Sequence, residues 1–261
     1  MSKASRLDYA YAIGRVRALE RFLVPRAVFQ EAVETSDHSA ALKLISDAGR
    51  YPEGLTRVRD SAELDDILAG EGEALKREMT DLLLEKDVLA FFLLSDDLER
   101  ALPLAARSGY PFLQDYIRHR IDLGNIKMVC RAKYLKWPAE HLKIRLLRGG
   151  LIEPKKFLDT YNLSLAEIGE RCATSLYHHV MTRGTDTLTE RETFVVLERG
   201  IEDFLMAYLR RARAYIFGPE QVFAYAEAKR RELALVRLLG VGKMALIPAE
   251  VLKERISETY V

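Results

Sequence analysis

No stretch of this chain alternates apolar and polar residues for as many as six positions, so nothing in it is patterned as a half-buried strand. Its apolar residues recur instead at helical steps. Leu outnumbers Val and Ile together, and Ala, Glu, Lys and Arg fill most of the rest; these side chains lose little freedom in a helix. An all-α fold is the expectation, and a chain of 261 residues that is 49% hydrophobic has enough apolar material for a real core. In the opening helix Leu7, Tyr11, Val16, Leu19 and Leu23 form the expected buried stripe, with Arg15, Arg17 and Arg21 opposite and Pro25 as the break. Ser36-Asp37 offers an N-cap to a helix over 39–45, and Gly49 a stop. Further helical segments are read over 61–94, with Gly70-Glu71-Gly72 a candidate interruption, then 96–107, 112–136, 138–149, 153–159, 164–181, 189–217, 219–239 and 248–259.

Charge is nearly balanced overall, 40 basic against 39 acidic residues, yet unevenly placed. Residues 53–99 hold 14 acidic and 5 basic side chains, whereas 118–156 hold 3 acidic and 11 basic. An electrically bipolar molecule follows. The two cysteines, Cys130 and Cys172, form no CxxC and have no histidine at ligand spacing, which argues against a disulfide scaffold or a structural zinc site and for a reducing cytoplasm. They read most simply as small core residues. Charges interrupt the N-terminal region where a signal peptide would need an apolar run, and runs such as 88–94 are too short to span a bilayer.

Sliding the chain against itself by 110 positions lays 120–143 over 230–253. Arg120, Leu123, Lys133, Pro138, Ala139, Glu140, Leu142 and Lys143 recur there identically, and Asp122 meets Glu232. A weaker echo precedes each copy: Leu23-Val24, Phe29 and Glu31 lie over Leu151-Ile152, Phe157 and Asp159. The expected organisation is a duplication, with an N-terminal helical domain at 1–149 that includes the acidic helical stretch 60–107, and a C-terminal helical domain at 150–261. The seam falls near Gly149-Gly150.

These residues resemble the C-type central-stalk component of the V-type and archaeal-type rotary ATPases, known by the letter d in eukaryotes. The opening DYAYAIGRVRALERFL is similar to that family's tyrosine- and arginine-rich start. The segment IDLGNIKMVCRAKYLKWPAEHLKIRLLRGGLIEPKKF resembles its recurring helical unit, and FGPEQVFAYAEAKRRELALVRLLGVGKMALIPAEVLKERISETYV its closing one. The resemblance implies an all-helical, pseudo-symmetric body shaped as a funnel or a partly open funnel, without catalytic activity, cofactor or directly bound nucleotide. It implies a cytoplasmic, peripheral position between two partners, the central shaft subunits and the membrane rotor ring. Family members carry three copies of the unit; two are found here, and 64–94 bears no acid-x-x-Asn-x-Lys signature.

Candidate partner-binding residues are the cations Arg118, Arg120, Lys127, Arg131, Lys133 and Lys136, joined by Lys143 and Arg145, and the clusters Arg210, Arg211, Arg213 and Lys229, Arg230, Arg231. Anionic headgroups or acidic partner loops would suit them, although adjacent residues on a helix diverge by about 100° and much of such charge is ordinary solvated surface. Asp122 and Asn125 share a helix face and read as a buried polar pair fixing register, with Arg118 or Lys127 as the neighbour of the acid. No catalytic, metal or cofactor residue stands out. His178-His179 diverge on a helix, and Asp65-Asp66 and Asp96-Asp97 lack the third acid of an aspartate-rich magnesium motif, because Ala69 and Arg100 occupy the fourth position on. Nucleic acid would also suit the basic stretch, but no recognition motif surrounds Tyr134 and Trp137, so nucleic-acid binding stands second to the rotary-ATPase role, with an all-α enzyme third.

Overall fold

The computed structural model of the protein describes residues 5–172 and 176–261, the side chains of 169–172 excepted. The expectation for Cys172 falls outside the described side chains, whereas Cys130 is a buried free thiol. Every regular element among the described residues is helical. The chain divides into two compact units, one formed by Met1–Leu93 with Met206–Val261 and the other by Leu94–Leu205.

The first unit contains α1 (Ala10–Glu20), α2 (Arg26–Glu34), α3 (His38–Ala48), α4 (Ser61–Leu82) and α5 (Lys86–Leu93) from the start of the chain. The second holds α6 (Leu98–Ser108), α7 (Pro111–Tyr134), α8 (Ala139–Lys143), α9 (Pro154–Asp159), α10 (Leu165–Cys172) and α11 (His178–Arg191), and α12 (Val195–Arg210) crosses the boundary. The chain then completes the first unit with α13 (Pro219–Met244) and α14 (Ala249–Arg255). Side-chain caps start several of these helices: Asp37 accepts the Ala40 N–H at 2.9 Å, and Asp60 those of Ala62 and Glu63 at 3.0 and 2.9 Å. Gly109, at φ +70°, closes α6 in the left-handed region that glycine adopts without strain.

In the first unit α13 runs through the middle, packed by α1, α2, α3, α4 and α14. Leu233, Val236 and Leu239 join Phe29, Val33, Leu42, Ile45, Leu64 and Leu252 in its core. A helix surrounded on all sides shows no wet face, and from Pro219 to Lys229 every residue of α13 is buried, charged ones included. In the second unit α7 takes the equivalent place, packed by α6, α8 and α9, and Ile126, Val129 and Cys130 meet Leu142, Phe157, Tyr177 and Met181.

Several expectations change: the helix expected over 61–94 is α4 and α5, and α11 covers 182–188, between the helices expected at 164–181 and 189–217. Leu7 and Tyr11 are 67% and 78% exposed, while Val16, Leu19 and Leu23 are buried as expected, joined by Tyr9, Ala12 and Ile13. A 3-10 turn over Arg6–Tyr9 precedes α1 and rotates the phase of the first residues. Gly70 and Gly72 do not interrupt α4, because Leu64, Leu68, Leu75 and Met79 hold one continuous apolar face across them. Finally, the two units do not divide at 149/150. Gly149 and Gly150 lie inside the second unit, tied to α7 by the contacts described next.

Candidate functional site

Asp122, buried in the middle of α7, accepts the backbone N–H groups of Leu151 and Ile152 at 2.9 and 3.1 Å and the Tyr177 hydroxyl at 3.0 Å. One turn on, Asn125 donates to the Leu147 carbonyl at 2.8 Å and accepts the Leu147 N–H at 2.9 Å. Two side chains three positions apart thus hold the turn that leads from α8 to α9. Gly150 lies against the acid so closely that a β-carbon there would stand 2.0 Å from Asp122 Oδ1. Burial raises the Asp122 pKa above the usual carboxylate value, and its three donors work in the opposite direction. Asp122 and Asn125 are thus buried and hydrogen-bonded within the fold, and the cations expected beside the acid are elsewhere. Arg118 faces Asp115 at 3.8 Å and Lys127 pairs with Glu198 at 3.0 Å.

The first unit repeats the device. Glu232, buried in α13, accepts the Val24 N–H at 2.6 Å, the Tyr51 hydroxyl at 2.7 Å and the Lys229 ammonium at 2.6 Å. Val24 and Ile152 are the positions that the sequence echo lays over each other. Near the end of each central helix a lysine caps a loop. Lys133 donates to the Tyr161 and Leu163 carbonyls at 2.9 and 2.6 Å, and Lys243 to the Thr35 carbonyl at 2.5 Å. Both helices then end alike: Trp137 N–H reaches the Ala132 carbonyl and Ile247 N–H the Gly242 carbonyl, each at 2.9 Å. Lys136 and Leu246 take φ values of 53° and 56° in the same left-handed position. Sequence reasoning found the acids and the lysines but missed Tyr51, Tyr177 and His119, whose Nδ1 lies 2.7 Å from the Tyr177 hydroxyl. A tyrosine following each loop was the available signal.

Most of the other candidate partner-binding cations also make contacts within the fold. Arg120 donates to the Ser95 carbonyl and, at 3.4 Å, to Asp96. Arg131 shares Glu198 with Lys127, at 2.9 Å. Arg230 pairs with Glu227 at 2.9 Å and covers the Phe92 ring. Lys229 is buried against Glu232 and the Tyr51 ring. Arg210, Arg213 and Arg231 grip the extended segment after α14: Arg210 reaches Glu258 at 3.1 Å and the Thr259 carbonyl, Arg213 the Tyr260 carbonyl at 3.0 Å, and Arg231 the Ser257 hydroxyl at 2.9 Å. Arg211 lies over the Tyr208 ring and is exposed. Of the central basic stretch, Lys136 and Lys143 stay outward at the ends of α7 and α8.

An open hollow of about 480 Å³ in the first unit is lined by Arg15, Arg50, Glu71, Glu78, Tyr225 and Lys229 among others. Arg15 pairs there with Glu78 at 3.1 Å, and Lys229 with Glu232 at 2.6 Å. Among the described residues no group of three or more His, Cys, Asp or Glu is placed to hold a metal ion, and no helix is long and apolar enough to cross a membrane. His178 and His179 sit exposed at the start of α11.

What recurs, then, is a carboxylate in a central helix clamping a loop, a lysine at the helix end and a left-handed turn, on a wholly helical frame. The family profile described as ATP synthase (C/AC39) subunit matches residues 92–255, more than half of the chain. The chain belongs to this family. Across 157 residues it is 28% identical to the C subunit of the V-type sodium ATPase of Enterococcus hirae, a match covering 60% of this chain and 47% of that protein. It therefore spans about half the length of that relative. The span that identifies the family member contains α7, α8, α13 and α14, and with them both buried acids and both left-handed turns.

Proposed function

We propose that this chain is a non-catalytic central-stalk subunit of a V/A-type rotary ATPase, coupling the shaft subunits to the membrane rotor ring during ATP-linked proton or sodium transport. The family match across 92–255 carries the reading. The frame suits the task, because a coupling that passes torque must resist compression and close-packed helices do so. The two acids are saturated by protein donors, which suits holding loops in place better than proton transfer. In this reading the protein is peripheral on the cytoplasmic side of the membrane and binds no nucleotide itself. Co-expression with the candidate shaft subunits and rotor ring, followed by affinity capture, is expected to yield a stable complex. Failure to capture either partner would overturn the proposal.

A further inference from the structure

The turn between α7 and α8 exposes several large side chains. Tyr134, Leu135 and Ile144 are 45%, 55% and 77% exposed. Ile144 ends α8 on the side away from Leu142, which is fully buried. Lys136, Lys143, Arg145 and Arg148 are all exposed on this turn and the residues that follow it, and Lys155 and Lys156 are on the adjoining α9. Among the described residues, none of Lys136, Lys143, Arg145 and Arg148 makes an ion pair; Arg145 instead lies over the Trp137 ring at 4.8 Å and donates to the His141 carbonyl at 3.0 Å. The opposing acids nearby are Glu140 and Glu153.

The equivalent turn of the first unit provides an internal comparison. Leu246, Ile247 and Val251 are exposed there too, but Leu246 replaces the Lys136 cation, and Lys253, the counterpart of Lys143, is paired with Glu34 and Glu250. Apolar exposure is common to both turns; among the described residues, exposed cations without an ion pair are more numerous at the second, where Lys136, Lys143, Arg145 and Arg148 stand against Arg255, the counterpart of Arg145, at the first.

We propose that the α7–α8 turn is a docking surface for an anionic lipid bilayer. Aliphatic tips set among unpaired lysine and arginine gain doubly there: the cations meet headgroup phosphates, and Leu135 and Ile144 enter the boundary between headgroups and acyl chains. A polynucleotide would reward the cations but has no apolar layer for the aliphatic tips. Its usual aromatic partner, Trp137, is partly buried and already covered by Arg145. The surface does not depend on the stalk reading, and the test contains no other protein of the complex.

The purified full chain is incubated with phosphatidylcholine vesicles, with or without phosphatidylglycerol, and sedimented at low and high salt. Binding is expected only to the anionic vesicles and should weaken with salt. The double variants Lys136→Glu/Lys143→Glu and Leu135→Ser/Ile144→Ser, each checked for native helicity, are expected to lower the vesicle partition coefficient about tenfold or more. Reversing Arg57 and Arg59 on the first unit should leave it unchanged. No binding to anionic vesicles, equal binding by the folded variants, or a single-stranded oligonucleotide bound through these residues while vesicles are ignored would each overturn the proposal.

Discussion

Replacing Gly150 with alanine probes the Asp122 clamp through a single methyl group. The added β-carbon would stand 2.0 Å from Asp122 Oδ1, 2.9 Å from its carboxyl carbon and 3.2 Å from Ile121 Cγ2. Gly150 is not among the glycines with positive φ, so alanine meets no left-handed strain. Relief must come from the carboxylate, which has to retreat by about 1.4 Å to reach ordinary contact distance. That movement stretches its bonds to Leu151 and Ile152, now 2.9 and 3.1 Å, past useful length. With two charge-assisted hydrogen bonds weakened, Gly150→Ala is expected to destabilise the protein by about 2–4 kcal/mol. The Asp122→Ala background changes the outcome. That substitution itself leaves the buried Ile152 N–H without its acceptor, at about 1–3 kcal/mol, but it also clears the space the methyl needs. There Gly150→Ala should cost less than about 1 kcal/mol, giving a coupling of about 2 kcal/mol between the two positions. Urea denaturation of the four proteins, followed by far-UV circular dichroism, measures this directly. An equal cost for Gly150→Ala with and without Asp122 would refute the argument that the glycine exists to admit the carboxylate.

Other outcomes follow from the same geometry. Glu232→Ala strands a buried Lys229 ammonium and removes the acceptor of the Val24 N–H and Tyr51 hydroxyl; a loss of about 3–5 kcal/mol is expected, partly recovered by adding Lys229→Met. Denaturation midpoints of the wild type and the two variants measure it. Burial raises the folded pKa of Glu20, with Arg213, Tyr260 and Arg17 opposing. The stability this group contributes is fully present below its unfolded pKa and is lost as pH rises through the folded value. Glu20→Gln should therefore flatten the fall in stability on going upward in pH from the ordinary carboxylate range, and superimposable profiles would contradict it. A fragment covering 94–205 is expected to unfold cooperatively on its own, whereas one covering 1–93, which lacks α13, should show no cooperative transition by circular dichroism.

How much of this was legible beforehand depends on how local each signal is. Asp37, Gly49, Pro111, Pro138 and Gly218-Pro219 punctuate helices through their own backbone chemistry, so the helix ends they mark are legible within a few residues, whereas the bounds of α11 and α12, which carry no such marker, are not. The repeat was legible because acid, lysine and Pro-Ala-Glu lie close together in the chain. The fate of the basic clusters was not. Arg131 finds Glu198 67 positions away, and Arg210 finds Glu258 48 positions away, so neither pairing leaves a local pattern. The same holds for Tyr177, whose hydroxyl meets an acid 55 positions earlier. The seam at 149/150 was misplaced for a related reason: Gly-Gly marks a close approach of backbone to Asp122, which in sequence is indistinguishable from a linker.

The first unit is built from both ends of the described chain, with Val24 reaching Glu232 across 208 positions. During synthesis on the ribosome, the second unit has all its residues in hand well before the first. Helices α1 to α5 emerge early with their apolar faces uncovered and must wait for α13, while 94–205 can collapse as soon as it clears the exit tunnel. For the nascent protein the interval between those two events is the period of greatest exposure to aggregation, and the residues that end it are those of α13 and the segment its neighbours grip.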